Sequence, residues 1–271
     1  MKKLLRFMGR FARIGIDWIR LLLVNPMLIR FFIPWITSLK DERTPLKDGK
    51  PWITFEAEEW LNSFLDKKMS VFEWGSGGST IFLSRRVKKL VSVEHDPDWY
   101  KQVKIVLKKN NISNCKCLLI EPERTVDMKT NPSNPLSYAS SLQTYEGMSF
   151  ETYAKSIEPF PDESFDLVLI DGRARPSCVF HAISKVRLGG FLMLDDSDRK
   201  SYQIGENLLV NWKRADFFGP CPYSINFRQT TVWKKAKLAE EESLIGEKYC
   251  FSDHYAMQYH GFLEWRKLGF R

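Results

Sequence analysis

The residues best suited to chemistry lie in and around a glycine-rich stretch, Glu73-Trp74-Gly75-Ser76-Gly77-Gly78-Ser79-Thr80. The apolar run from Met69 to Phe72 predicts a buried strand before it, and Ile81 to Ser84 begins a helical pattern after it. Glycines allow such a turn to take positive φ angles and let a ligand come close to the backbone. Strand, turn and helix together predict a nucleotide-type binding site at the end of the strand.

The residues around the glycines limit the kind of nucleotide. No Gly-Lys-Ser/Thr follows them, which excludes a Walker-type phosphate loop. The carboxylate of Glu73, just before Gly75, would repel a pyrophosphate and suit a cationic or polar ligand. The second predicted strand, Leu90 to Val93, ends in Glu94, and an acid at that position can accept hydrogen bonds from both hydroxyls of a ribose.

Glu73, the glycines and Glu94 together resemble the class I, Rossmann-like S-adenosylmethionine-dependent methyltransferases. The first motif of that family is acid-x-Gly-x-Gly-x-Gly, and an acid closes its second strand; the last glycine is Ser79 here, with Gly78 beside it. The resemblance covers roughly residues 52–235 and implies a reversed final strand and S-adenosylmethionine as the cofactor. It implies Glu73 near the methionine amino group or sulfonium, Glu94 at the ribose and Glu121 near the adenine, with further cofactor contacts from Gly75, Ser76, Gly77, His95 and Asp171. A tight turn without a ligand is the alternative.

Acids also follow the fourth and fifth predicted strands, as Asp171 and as the pair Asp195-Asp196. All three could bind Mg²⁺, as in the small metal-dependent O-methyltransferases, where the second residue of the pair is usually Asn. Asp171 or Asp195 could instead be a catalytic general base, or both could only cap helices. The neighbouring Arg173 and Arg175 could bind an anionic group of the acceptor or offset these acids.

Strand and helix patterns alternate from residue 69 to residue 210, which predicts an α/β fold with a doubly wound, mostly parallel sheet. The predicted domain spans residues 51–235, between an N-terminal extension and linker, 1–50, and a C-terminal extension, 236–271. Residues 124–149 lack any period, and we interpret them as a lid-like insert that contacts substrate through Tyr138 or Tyr145. A merely disordered insert is the alternative.

The positive charge of the chain is concentrated at its N-terminus. Residues 1–40 hold eight Lys/Arg and one acid, whereas the whole chain has 41 Lys/Arg and 33 Asp/Glu. The near-neutral remainder argues against a nucleic-acid partner. Residues 4–24 have helical periodicity with a basic side, so residues 1–38 favour an anionic membrane surface, or packing on the protein's own domain or on a homodimer partner. Prolines and an arginine between residues 25 and 34 disfavour a spanning helix.

The cysteines indicate the redox compartment. Five are scattered along the chain without a C-x-x-C pair, which predicts reduced thiols in a cytoplasmic protein. Cys115 and Cys117 would share one face of a strand. The four histidines show no metal-ligand spacing, and His95 alone lies near the predicted site.

The sequence therefore predicts an S-adenosylmethionine-dependent methyltransferase, cytoplasmic or peripheral to the membrane, that acts on a small-molecule or glycan-linked acceptor. Two alternatives stay open. Asp196-Ser197-Asp198 also satisfies the Asp-x-Asp metal motif of glycosyltransferases that use nucleotide sugars. The chain could also be a catalytically silent binding module that keeps the fold and docks on membranes.

Overall fold

The computed structural model describes residues 14–125 and 131–236, whose strands lie mainly in one large sheet. The strands are β1 (Ser70–Trp74), β2 (Lys89–Glu94), β3 (Cys115–Leu119), β4 (Glu123–Arg124), β5 (Met148–Ser149), β6 (Phe165–Ile170), β7 (Val186–Asp195), β8 (Lys213–Gly219) and β9 (Arg228–Lys234). Seven of them form a sheet in the order β3-β2-β1-β6-β7-β9-β8, and β4 pairs with β5 separately. Within the large sheet, β9 runs in the opposite direction to the other six strands. The mostly parallel sheet and the reversed final strand are confirmed.

The helices surround this sheet. They are α1 (described over residues 14–24), α2 (Phe32–Ser38), α3 (Pro45–Asp48), α4 (Phe55–Phe64), α5 (Gly78–Ser84), α6 (Pro97–Lys109), α7 (Glu151–Ala154), α8 (Arg175–Ala182) and α9 (Gln203–Asn207), with 3₁₀ turns at Pro26–Phe31, Gln143–Tyr145, Lys155–Ile157 and Lys200–Tyr202. Successive residues of the central strands enter separate cores on the two sheet faces. Phe72 and Leu192 pack with residues of α7 and α8, whereas Val71 and Met193 pack with residues of α4. The sheet is therefore covered on both faces, as the doubly wound prediction requires.

Two local features depend on contacts within the sheet. Helix α8 ends at Ala182, and β7 begins at Val186. Gly189 and Gly190 form no turn but are part of β7, because Gly189 N–H donates to the carbonyl of Lys235 and Lys235 N–H donates to the carbonyl of Gly190. Thr54 precedes α4 but makes no side-chain cap, because its hydroxyl donates to the carbonyl of Phe217 and ties the helix to β8.

The N-terminal helices pack on the sheet domain. Trp18 and Leu21 of α1 are buried, and the Trp18 ring meets Phe227 edge to face, with ring centres 5.3 Å apart. The indole of Trp35 in α2 donates to the carbonyl of Ser224 at 2.8 Å. Packing on the protein's own domain therefore accounts for one face of this segment. In the described ranges, no helix has the length and apolarity that a membrane crossing needs.

Some predictions fall outside the described residues. These are the first part of the predicted amphipathic helix, up to residue 13, residues 126–130 of the insert, and the C-terminal extension beyond residue 236. The boundaries of the predicted domain stay a prediction. Cys115 and Cys117 do share one face of β3, with free thiols whose Sγ atoms lie 3.4 Å apart.

Candidate cofactor site

The strand order reverses between β1 and β6, which opens a crevice at the carboxyl ends of these strands. Such reversal points are where open α/β sheets bind their ligands. Gly75 follows β1 with φ +95°, and a Cβ added there would lie 2.8 Å from the carbonyl carbon of Asp171, which follows β6. Glycine is thus required at position 75, because the two strand ends approach each other so closely.

A buried network of hydroxyl groups holds the glycine-rich turn. Glu73 is fully buried, and its Oε2 accepts hydrogen bonds from Thr80 Oγ1 and Ser92 Oγ, both at 2.7 Å. Thr80 Oγ1 accepts in turn from the backbone N–H of Gly77 at 2.8 Å, and Ser76 Oγ lies 2.7 Å from Ser92 Oγ. The network ties the turn to both β1 and β2, so Glu73 supports the cofactor turn from within.

Burial also changes the titration of this acid. It raises the pKa of Glu73 to about 7, a rise limited by hydrogen bonds from the hydroxyls of Ser79, Ser92 and Thr80. Its second oxygen, Oε1, is buried without a hydrogen-bond partner in the structure. Glu73 therefore keeps one acceptor atom that the fold itself does not use.

Glu94 and His95 close the end of β2. Glu94 Oε1 accepts from the backbone N–H groups of His95 and Asp96, at 2.8 and 2.9 Å. Among the described residues, its other oxygen, Oε2, has no hydrogen-bond partner. His95 Nδ1 lies 2.8 Å from Glu94 Oε1 but without the alignment of a hydrogen bond. Glu121, expected near an adenine, is exposed just beyond β3.

Four buried polar atoms at this edge lack a hydrogen-bond partner in the structure. They are Glu73 Oε1, His95 Nδ1, the Tyr153 hydroxyl and Arg173 Nε. The Tyr153 hydroxyl lies against Gly172, where it would be only 2.0 Å from an added Cβ. Buried polar groups are nearly always hydrogen-bonded in folded proteins, so these four atoms are available to a polar ligand that enters the crevice.

The acids after β6 and β7 surround a buried arginine. Arg175 Nη2 lies 2.8 Å from Asp171 Oδ1, and Nη1 lies 3.8 Å from carboxylate oxygens of both Asp195 and Asp196. Nη1 also donates to the Asp195 carbonyl. The N-cap of α8 is Ala174, and that of the 3₁₀ turn after β7 is Arg199; neither has a side-chain cap, so the capping interpretation of Asp171 and Asp195 was wrong.

This donor set does not fit a divalent cation. Arg175 contacts Asp171, Asp195 and Asp196, and Asp196 also pairs with Arg199 and with Arg228, the latter at 2.5 Å. The described residues contain no group of three potential ligands that could hold a metal ion. The Mg²⁺ interpretation is therefore not supported. A metal site at the Asp-x-Asp motif is not supported either. Asp196 is paired with Arg199 and Arg228, and Asp198 is exposed.

Burial raises the pKa values of both candidate bases, Asp171 and Asp195. It raises the pKa of Asp171 to about 6, opposed chiefly by the nearby Arg175. Burial, together with the charges of Asp171 and Asp196, raises the pKa of Asp195 well above its ordinary value. The Asp171 side chain is 23% exposed and that of Asp195 only 6%. Asp171 is thus the more accessible member of the pair, and its pKa leaves it ionised at neutral pH.

The insert lies over the crevice. Tyr145 OH is 2.8 Å from His95 Nε2, after β2, and the Arg173 guanidinium, after β6, lies 5.8 Å from the centre of the Tyr145 ring. Because β1 runs between β2 and β6, Tyr145 lies across its carboxyl end. Tyr138 OH contacts His181 Nε2 at 3.3 Å. The described part of the insert is thus packed on the domain, unlike the disordered alternative.

Two residues near the crevice were not singled out from the sequence. Trp99 Nε1 donates to the carbonyl of Ser76 at 2.7 Å and so fixes the glycine-rich turn. Tyr153 lies on α7, and nothing in the sequence around it indicates the direction of its hydroxyl.

No protein-family model matches the chain, and no curated protein is significantly similar to it. The solved structures that match include methyltransferases, the family that the glycine motif resembles. A candidate methyltransferase of Streptococcus mutans in complex with SAH is 16% identical with a TM-score of 0.44, over 66% of this chain and 96% of that one. An rRNA methylase from Streptococcus thermophilus is 14% identical with a TM-score of 0.44, over 67% and 95%. A methyltransferase-like protein from Silicibacter pomeroyi is 22% identical with a TM-score of 0.44, over 70% and 91%. Likeness at this level does not establish an activity or an acceptor.

Proposed function

We propose that this protein is an S-adenosylmethionine-dependent methyltransferase that acts on a small-molecule or glycan-linked acceptor. The observation that carries the proposal is the set of four unpartnered polar atoms around the glycine-rich turn. S-adenosylmethionine offers an ammonium group for the Glu73 carboxylate, a carboxylate for Arg173, and polar atoms for the Tyr153 hydroxyl and His95 Nδ1. A cofactor of this chemistry would satisfy groups that the fold leaves without partners.

The remaining cofactor contacts follow from the strand ends. Glu94 Oε2 would accept from the ribose hydroxyls, while Oε1 keeps the backbone of the next turn in place. The backbone of Gly75 to Gly77 would receive the methionine part, and Glu121 would lie on the adenine side. The bound cofactor supplies an electrophilic methyl group on its sulfonium.

Asp171 is the residue that we propose as the general base. Its pKa of about 6 leaves it ionised at neutral pH, and it lies beside Gly75 at the crevice. Arg175, whose Nη2 lies 2.8 Å from Asp171 Oδ1, would hold this carboxylate in place, with Asp195 beside it. The preference for an acceptor other than nucleic acid rests on the near-neutral charge of residues 41–271.

The insert would act as a lid over the bound cofactor. Tyr145→Phe removes the hydroxyl that bonds His95, and losing one hydrogen bond of about 1 kcal/mol should make opening about fivefold more frequent. We therefore expect limited proteolysis within residues 131–149 to be about fivefold faster in Tyr145→Phe, and to slow in both proteins when SAH is added. Tyr100→Phe, whose parent hydroxyl has no hydrogen bond within the described residues, is the matched control. Equal cleavage rates in all proteins, with no protection by SAH, would show that the insert is not a lid.

Calorimetric titration tests the proposal as a whole. We expect S-adenosylmethionine and SAH each to bind the purified protein with micromolar affinity, and a nucleotide sugar with Mn²⁺ not to bind. The reverse result would replace the proposal with the glycosyltransferase alternative. Binding of the cofactor without methylation in a broad acceptor screen would favour the catalytically silent module.

A further inference from the structure

The N-terminal helices have a second apolar face, opposite to the one that packs on the domain. Ile16, Ile19 and Leu23 follow the i, i+3, i+7 spacing that places side chains on one side of α1. The face continues through the 3₁₀ turn Pro26–Phe31 into α2. We call it the docking surface; its members and their exposed fractions are Ile16 48%, Ile19 61%, Leu23 78%, Met27 68%, Ile29 54%, Phe32 36%, Ile33 68% and Ile36 46%.

This concentration is unusual for a soluble surface. Eight of the eighteen large apolar residues that are exposed in the described part of the chain lie within residues 16–36. The segment is nevertheless well anchored, since Trp18, Phe31 and Trp35 fix its other face to the domain. A concentration of exposed apolar side chains on a well-packed element indicates a site that another phase or partner covers.

The charge around the docking surface identifies what covers it. Arg20 and Lys40 are exposed at its borders, and the acids Asp41 and Glu42 are exposed just beyond Lys40. The sequence that precedes α1 carries five Lys/Arg and no acid within residues 1–13. Exposed apolar side chains combined with a basic flanking segment suit the acyl region and the anionic headgroups of a lipid bilayer. A symmetric dimer through the same surface would instead join two copies that each carry a net charge of +8, so it offers no net charge complementarity.

The sheet topology places this surface beside the candidate site. β8 is antiparallel to β9, and β9 is antiparallel to β7, so β8 ends at the same edge as β1, β6 and β7. The turn between β8 and β9 carries Ser224 and Phe227, which contact α2 and α1. Arg228, at the start of β9, pairs with Asp196 at the candidate site.

We propose that the docking surface inserts into the interface of an anionic lipid bilayer and brings the carboxyl edge of the sheet next to the membrane. The docking itself does not depend on the proposed methyltransferase activity. An acceptor held at the bilayer surface would be within reach of Asp171, and this consequence alone rests on the proposed function.

Vesicle flotation of the full chain tests the proposal. We expect the protein to float with phosphatidylcholine vesicles that contain phosphatidylglycerol, less with phosphatidylcholine alone, and less at high salt. The triple variant Ile19→Asn, Leu23→Asn, Ile33→Asn should bind on the order of 100-fold more weakly. The matched control, Ile105→Asn, Ile204→Asn, Val210→Asn, changes equally exposed residues elsewhere and should float like the parent.

Three outcomes would overturn the proposal. They are no flotation with anionic vesicles, equal flotation of the two triple variants, and a dimer in light scattering that only the docking-surface variant dissociates. The last would make the surface an interface between copies of this chain. SAH titration of the same three proteins tests the cofactor site separately, and we expect equal affinities whether or not the vesicles bind.

Discussion

Glu94→Ala should weaken S-adenosylmethionine and SAH binding by about 100-fold. The reason is the oxygen Oε2 at the end of β2, which in the proposed site would accept hydrogen bonds from both ribose hydroxyls. Two hydrogen bonds to a charged acceptor are together worth about 3 kcal/mol or more, since each contributes about 1.5–3 kcal/mol. The measurement is calorimetric titration of parent and variant with SAH, at one temperature and ionic strength.

The controls separate recognition from folding. Glu94 Oε1 also holds the backbone N–H groups of His95 and Asp96, so removing the whole side chain disturbs the turn as well. Glu94→Gln keeps one acceptor for that turn, and we expect an intermediate loss of about tenfold. Asp98→Ala removes a neighbouring, exposed carboxylate that pairs with Lys101, and SAH affinity should not change. An unchanged affinity in Glu94→Ala, with the fold intact by circular dichroism, would remove Glu94 from the proposed site.

The sheet was predictable because its signals are local. Leu167 to Ile170 is a continuous apolar run before Asp171 and Gly172, and these four residues all lie in β6. Parallel strands buried on both faces carry such runs, and the glycines mark where β1 ends. Once the strand order follows the doubly wound pattern, Gly75, Glu94 and Asp171 must meet at one edge.

The arrangement inside the crevice was not predictable, since it depends on contacts between distant parts of the chain. Nothing near Tyr145 indicates that its hydroxyl meets His95, fifty residues earlier. Arg175 was considered as an acceptor ligand or as an offset to the acids, and only the fold shows that it lies buried among them. The metal interpretation is unsupported for the same reason, because spacing places the carboxylates together without revealing the arginines that pair with them.

Helix α1 has two apolar sides, and helical periodicity in the sequence describes only one of them. Ile14, Trp18 and Leu22 follow the helical periodicity of one apolar face, and the structure packs that side against the domain. Ile19 and Leu23 belong to the opposite side of the same helix, which a single apolar face does not describe. A helix that is apolar on two sides needs two partners, and only the three-dimensional structure shows which side already has one.

Arg175→Met should lower the free energy of unfolding by about 3–5 kcal/mol at pH 8. Methionine nearly preserves the volume of the side chain but removes its charge. The carboxylates of Asp171 and Asp195 then lack their common counter-charge. Removing one partner of a buried ion pair is strongly destabilising because the remaining charge is uncompensated. The measurement is urea denaturation of parent and variant at pH 5.5 and pH 8. The surface pair of Arg187 with Asp166 gives the matched control, because Arg187→Met should cost less than about 1 kcal/mol.

The stability that is lost in Arg175→Met should depend on pH. Without Arg175 the pKa values of Asp171 and Asp195 in the folded protein rise further above their unfolded values. An acid with a raised folded pKa contributes stability at low pH that is lost as the pH rises through that pKa. The deficit of Arg175→Met should therefore be smallest at pH 5.5 and largest at pH 8. Adding Asp171→Asn should recover part of the loss at pH 8, because one uncompensated charge is removed. A deficit that is equal at both pH values, with no recovery in the double variant, would mean that Arg175 stabilises the fold by packing and does not balance these acids.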